Sequence, residues 1–242
     1  MALKFFVDFD GTITQDDVGN AFFLKFGGTQ CDELVREYKE GKISAVDCFR
    51  GEVAAVGTLN KNEFDQFVQN HPIDVGFKEF VSFCRARNIE FHVVSDGLDY
   101  YICRILSAND IQDISYFANK VQLHSEDGGE ICSVDIQFPY TDAECTRCAC
   151  CKRNIMLTHA GEEDVIAYVG EGYSDHCPAQ YADIVFAKED LQKFCQQKNI
   201  SYYLYDTFHD IVKRLEKLLV PRKVLRKRRR AELMRRAVFM QE

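Results

Sequence analysis

The sequence predicts an α/β protein: a Rossmann-like doubly wound parallel sheet core with an inserted α-helical cap domain and a small β-hairpin. Three observations carry that prediction. Short apolar runs alternate with amphipathic stretches along most of the chain, the pattern of strands joined by crossover helices. A long helical-period stretch interrupts this alternation directly after the first apolar run. With 242 residues, 46% hydrophobic and 12% aromatic, the chain has the apolar content for a sizeable core and is not of disordered composition.

Met1–Val7 reads as the first strand. From Asp16 to about Asn70, Val18, Phe22, Phe23 and Phe26, and later Phe64, Phe67 and Val68, recur at helical spacing. Gly27–Gly28, Gly41 and Gly57 divide this region into several helices, and its position makes it a cap over whatever the first strand carries. His71–Pro72 marks the return to the core. A helix from about Gly76 to Asn88 precedes a strand, Glu90–Val94, that ends in Ser95-Asp96-Gly97, and a further helix spans Leu98–Ala108. Phe117–Leu123 and Ile131–Phe138 flank Glu126-Asp127-Gly128-Gly129 and predict the hairpin. A helix follows Lys152, and a strand at Val165–Val169 ends in Gly170-Glu171-Gly172-Tyr173-Ser174-Asp175. Ile184–Ala187 and Ser201–Tyr205 are short strands, each followed by a helix. The expected organisation is a core of residues 1–14 and 72–219, a cap of residues 15–71, and a basic extension of residues 220–242.

The net charge of −8 is uneven: residues 222–242 carry +7, leaving −15 on the rest. An acidic body is a poor nucleic-acid binder, so no nucleic-acid partner is expected. No apolar run approaches the roughly 18 residues that span a bilayer, and no signal-peptide pattern opens the chain. A cytoplasmic protein without a membrane partner is the expectation.

The chemistry gathers at predicted strand ends. Asp8 and Asp10 stand two residues apart, so both can face one site as the strand ends. One carboxylate can then attack as a nucleophile while the other moves protons, provided a cation keeps them from repelling each other. Ser95, and Glu171 with Asp175, fall at the same edge, where open α/β sheets bind ligands. Carboxylates with a backbone carbonyl and waters suit Mg²⁺. Lys152, at a helix start, can steady both an attacking carboxylate and a bound phosphate. Taken singly, each cluster is an ordinary turn or helix cap. On successive strand ends they form the parts list of phosphoryl transfer.

In these residues the chain resembles the phosphatases of the haloacid dehalogenase superfamily, over about residues 3–215. The resemblance implies Asp8 as the nucleophile that forms an aspartyl-phosphate and Asp10 as the proton donor and later the activator of water. It implies Ser95, Asp96, Gly97 and Lys152 as the phosphate-binding group. One Mg²⁺ per subunit would be held by Asp8, the Asp10 carbonyl, Glu171 and Asp175. Cys150–Lys152, Tyr168–Asp175, Asp183–Asp190 and Asp206–Asp210 make it most similar to the methionine-salvage branch, close to phosphoserine phosphatases. That branch acts on 2-hydroxy-3-keto-5-methylthiopentenyl-1-phosphate, a small phosphorylated metabolite. The family usually has Asp where this chain has Glu171, and the extra methylene lengthens the reach to a metal with strict octahedral geometry. In the cap, Asp17 sits where phosphoserine phosphatases carry an amino-binding glutamate, and Arg50 sits near their cap arginine.

Two features stand apart. Cys145, Cys148, Cys150 and Cys151 form a compact zinc site, a set of reduced thiols, or one redox-sensitive disulfide beside Lys152. The tail around Lys223–Arg236 also carries Val224, Leu225, Leu233, Met234, Val238 and Phe239. It is a solvated or partly ordered extension, a segment that binds nucleic acid or anionic membrane, or an amphipathic helix docking on the acidic body or on a second subunit, as in a homodimer. The rival from another class is a catalytically weakened binding or regulatory protein on the same scaffold.

Overall fold

The computed structural model describes residues 2–125, 128–143, 145–220 and 225–240. Met1, the Glu126–Asp127 half of the expected hairpin turn, and Lys223 and Val224 of the tail lie outside the described residues.

In chain order the elements are β1 (Leu3–Val7), α1 (Val18–Gly27), α2 (Gln30–Lys39), α3 (Ala45–Val56), β2 (Thr58–Asn60), α4 (Lys61–Gln69) and α5 (Phe77–Ala86). Then follow β3 (Glu90–Leu98), α6 (Asp99–Ala108), β4 (Ser115–His124), β5 (Ile131–Gln137), α7 (Lys152–His159) and β6 (Val165–Gly170). A short 3₁₀ turn, Tyr173–Asp175, leads into α8 (His176–Tyr181), β7 (Ile184–Ala187), α9 (Glu189–Gln197), β8 (Tyr203–Leu204), α10 (Phe208–Leu218) and α11 (Arg229–Phe239).

The strands form one sheet in the order β2-β5-β4-β3-β1-β6-β7-β8. From β4 to β8 all pairings are parallel, whereas β5 and β2 add an antiparallel edge. Alternation along β1 divides the core: Phe5 and Val7 pack into one apolar cluster and Phe6 into another. Both faces of β1 are therefore covered, as a central parallel strand requires.

Two details differ from the sequence reading. The helical insertion contains a strand, β2, whose three residues pair with β5, a long-range contact that so short a segment does not advertise. Ser95-Asp96-Gly97 belongs to the end of β3, where the register against β4 shifts between Val94 and Leu98. That irregularity turns the three residues out of the ladder and toward the site.

The tail beyond residue 224 docks on its own body. The Arg228 N–H donates to Asp183 Oδ1 at 2.9 Å, and its guanidinium donates to the carbonyls of Ala179 and Gln180. Arg235 reaches Asp183 at 3.0 Å. Among the described residues no helix is long and apolar enough to cross a membrane.

Candidate active site

β1 lies between β3 and β6, and the Asp8 N–H still donates to the Val169 carbonyl at 2.9 Å, so Asp8 leaves the sheet at its centre. The Thr14 hydroxyl donates to the carbonyls of Phe9 and Asp16 and accepts from the Gly11 N–H, closing the turn that follows. Gly11 sits there at a φ of +66°, a conformation that favours glycine. The turn leads into α1, whose N-cap Asp17 accepts the Asn20 N–H at 2.8 Å.

Asp8 is 6% exposed and forms the centre of the site. Its Oδ1 accepts from Lys152 Nζ at 2.6 Å and its Oδ2 from the Thr12 hydroxyl at 3.2 Å. Lys152, 1% exposed, also donates to Ser174 Oγ at 2.9 Å and Asp175 Oδ1 at 2.7 Å. Burial works against the lysine's charge, but Asp175 and Asp8 outweigh it and hold its pKa well above the usual value. Burial and then Asp175 push the Asp8 carboxyl up, against the pull of Lys152.

Asp10 faces the cap. Its Oδ2 accepts from the Tyr101 hydroxyl at 2.8 Å and from Ser95 Oγ at 3.1 Å, and its Oδ1 accepts from the Gly19 N–H at 3.2 Å. Burial, followed by the charge of Asp17, raises its pKa to about 7. A carboxyl poised there can both give and take a proton near neutrality.

Glu171 follows β6, and its carboxylate lies against Gly11: a methyl added at Gly11 would come 2.9 Å from Glu171 Oε1. That places the glutamate beside the Asp10–Gly11 peptide. Burial and then Asp175 raise its pKa to about 7. Asp8, Asp10 and Glu171 thus share an excess of negative charge that Lys152 alone does not balance. An oxygen donor set with excess negative charge fits a hard divalent cation. Among the described residues no three acid, histidine or cysteine side chains form a closed metal cage. Such a cation would therefore rely in part on a backbone carbonyl, waters and the phosphate, the usual habit of Mg²⁺.

Asp175 has a different place from the metal ligand the sequence suggested. It is fully buried, and four donors claim its two oxygens: Lys152, the Tyr168 hydroxyl, and the N–H groups of Glu171 and Gly172. It braces the loop and the lysine. The Asp96 carboxylate accepts the Cys150 N–H at 2.7 Å and so anchors the loop that presents Lys152. Burial lifts its pKa to about 6. Ser95 reaches Asp10 rather than standing free, and accepts the Gly97 N–H at 2.8 Å.

Gly97 has no room for a side chain. A methyl there would overlap the Tyr101 hydroxyl and stand 2.5 Å from Asp10 Oδ2. Gly97→Ala should displace both groups and lower kcat about 100-fold, the scale of an ångström-sized misplacement at a reacting centre. Steady-state kinetics on a variant with unchanged circular dichroism tests this, and near-normal kcat would contradict the geometry.

The cap closes over these residues. Tyr38 of α2 donates to the Arg147 carbonyl at 2.5 Å, and the Ala45 N–H donates to the Thr146 carbonyl at 2.9 Å. Between cap and core lies a cavity of about 580 Å³ whose walls include Asp8, Asp10, Asp17, Gly97 and Glu171. Asp17 is at the cavity. Arg50 is not: its side chain is 67% exposed, 3.9 Å from Asp47 and stacked over Phe138.

Three of the four clustered cysteines lie together, with Cys148 hydrogen-bonded to both Cys145 and Cys151, and one turns away. Cys150 points into an apolar cluster with Phe6, Val94 and Ile155. Cys145 and Cys148 stand 3.6 Å apart between sulfurs, and a hydrogen bond from Cys148 pulls the Cys145 thiol down to about 5. All four are free thiols, and among the described residues no group of three or more acid, histidine or cysteine side chains is placed to hold a metal ion.

Tyr101, Tyr168, Thr12 and Ser174 were not singled out in the sequence, yet each bonds a central charged group. The available signal was position: Tyr168 precedes the loop after β6 by two residues, and Tyr101 lies one helical turn beyond Gly97.

This sheet, with its inserted cap and the acid–lysine centre at the strand ends, has the fold of phosphatases of the haloacid dehalogenase type. Solved structures of that type match closely in fold. A phosphoserine phosphatase carrying a phospho-aspartyl intermediate analogue has a TM-score of 0.67 at 16% identity, covering 88% of this chain and 98% of that one. A haloacid dehalogenase family hydrolase from Salmonella enterica also has a TM-score of 0.67 at 16% identity, covering 92% of this chain and 72% of that one. The family model described as "Putative Phosphatase" matches residues 3–209, and the chain belongs to that family. Its relatives include proteins named 2-hydroxy-3-keto-5-methylthiopentenyl-1-phosphate phosphatase. The one from Lysinibacillus sphaericus is 30% identical over 88% of this chain and 94% of its own length. The one from Bacillus mycoides is 27% identical over 90% and 98%.

Proposed function

We propose that the protein hydrolyses a small phosphorylated metabolite through an aspartyl-phosphate on Asp8, with Mg²⁺. The observation that carries this reading is the buried Asp8–Lys152 pair at 2.6 Å, two residues from an Asp10 poised near neutrality. An Asp8 oxygen attacks phosphorus and the ester bond to the leaving oxygen breaks, while Asp10 gives that oxygen its proton. Asp10 then takes a proton from water, whose oxygen attacks the same phosphorus, releasing phosphate and freeing Asp8. Lys152 holds the nucleophile in place and meets the incoming phosphoryl charge. Tyr101, Ser95 and the Gly19 N–H orient Asp10 toward the leaving group. Asp8, the Asp10 carbonyl and Glu171 would hold the Mg²⁺, which supplies charge neutralisation when bound.

The named relatives favour the methionine-salvage ester as substrate. For the phosphoserine alternative, Arg50 faces away from the cavity, and Lys39 is a cap cation on its wall. Assaying both esters with Mg²⁺ and with a chelator tests the proposal. Chelation should lower turnover about 100-fold, reversibly. Undiminished turnover in chelator, or preference for phosphoserine, would count against it.

A further inference from the structure

One acid in the cavity has no part in that chemistry. Glu52, on the inner face of α3, is 4% exposed and lines the cavity beside Phe23, Val35, Cys48 and Phe49. The hydrogen bond it is given comes from the Cys48 thiol, a weak donor, and no cation contributes to holding its charge. The groups that face it are Asp17 at the start of α1, Cys31 on α2 and Cys48 on its own helix. Lys39, on α2, shares the cavity wall.

A carboxylate buried among apolar groups without a cation keeps its proton instead of its charge. Burial accordingly raises the Glu52 pKa to about 8. Near neutrality the side chain is a carboxylic acid, and its O–H is a donor beside Phe23, Val35 and Phe49. Asp17 adds negative charge on the cap side of the same cavity.

We infer that Glu52 is a specificity residue that donates a hydrogen bond to a carbonyl oxygen in an uncharged organic part of the substrate, while Phe23, Val35 and Phe49 hold that part's apolar end. A substrate carboxylate there would meet the negative charge of Asp17. This assignment deepens the phosphatase reading and rests on it.

The test compares four phosphomonoesters with Mg²⁺: hydroxyacetone phosphate extended by a propyl group, phosphoserine, phosphorylethanolamine and p-nitrophenyl phosphate. The wild-type protein should turn over the extended keto ester with a kcat/KM about tenfold or more above phosphoserine and phosphorylethanolamine. Glu52→Ala should raise KM for the keto ester about tenfold with a smaller effect on kcat, the size of one hydrogen bond lost to a buried donor. Glu52→Gln should raise it less than about threefold, because its amide N–H still donates to the carbonyl. If phosphorylethanolamine is preferred and Glu52→Gln is as damaging as Glu52→Ala, Glu52 is an ionised counter-ion and the inference falls. An unchanged KM in both variants overturns it as well. Should no ester be hydrolysed, p-nitrophenyl phosphate included, the phosphatase reading is what fails. Calorimetric binding of the keto ester to the three proteins then still decides the role of Glu52, by the same order of affinities.

Discussion

Asp8→Asn abolishes turnover while leaving the protein folded: that is the expected result of removing the one oxygen nucleophile that Lys152 holds in position. The amide has nearly the same size, so packing at this buried position is retained. Lys152 keeps Asp175 and Ser174 as partners, and charge balance in the pocket is lost only in part. Loss of the covalent route should lower kcat by at least ~10³-fold, with KM far less affected. Activity near the wild-type level in a folded Asp8→Asn protein would mean that another group, or water directly, attacks phosphorus.

Lys152→Met has the second large effect, and it reaches stability as well as rate. In the native protein one ammonium bridges two buried carboxylates, at 2.6 Å to Asp8 and 2.7 Å to Asp175. Methionine fills similar volume but leaves those acids side by side with no cation. Removing one partner from a buried ion pair costs about 3–5 kcal/mol, because the remaining charge is left unpaired. The sign of the pH dependence follows from Asp8. Its folded pKa is already raised above the ordinary aspartate value, by burial and then by Asp175, and losing Lys152 removes the opposing pull. A carboxyl whose folded pKa is raised favours the folded state at low pH and disfavours it as pH rises above about 4. The stability deficit of Lys152→Met should therefore be smaller at pH 5 than at pH 8. Urea unfolding of both proteins at the two pH values tests this, and an equal deficit at both would contradict the role given to the lysine.

The parts legible in the sequence were those written into local pattern. Asp8 and Asp10 follow an unbroken apolar run, so their strand and their common direction come from a few adjacent residues. Lys152 and Glu171 were found because the alternation of strands and helices marks strand ends even when the strands are far apart in sequence. What stayed hidden depends on long-range geometry. The Asp96 carboxyl is taken by a backbone N–H 54 residues away, and the Tyr101 hydroxyl reaches Asp10 across 91. Arg50 faces outward because its helix turns Glu52 inward two residues later, and either face of a helix can carry a charged residue. The Arg228 and Arg235 contacts to Asp183 likewise fix the tail on its own body, where composition left several partners open.

Covalent chemistry at Asp8 is the step on which the proposed mechanism turns. Rapid acid quenching of the protein during turnover, followed by proteolysis and mass spectrometry, measures it most directly. The peptide carrying Asp8 should gain the mass of one phosphoryl group, sensitive to hydroxylamine and absent from Asp8→Asn. A phosphoryl group found on any other residue, or turnover with no trapped phosphoryl-protein under single-turnover conditions, would contradict it.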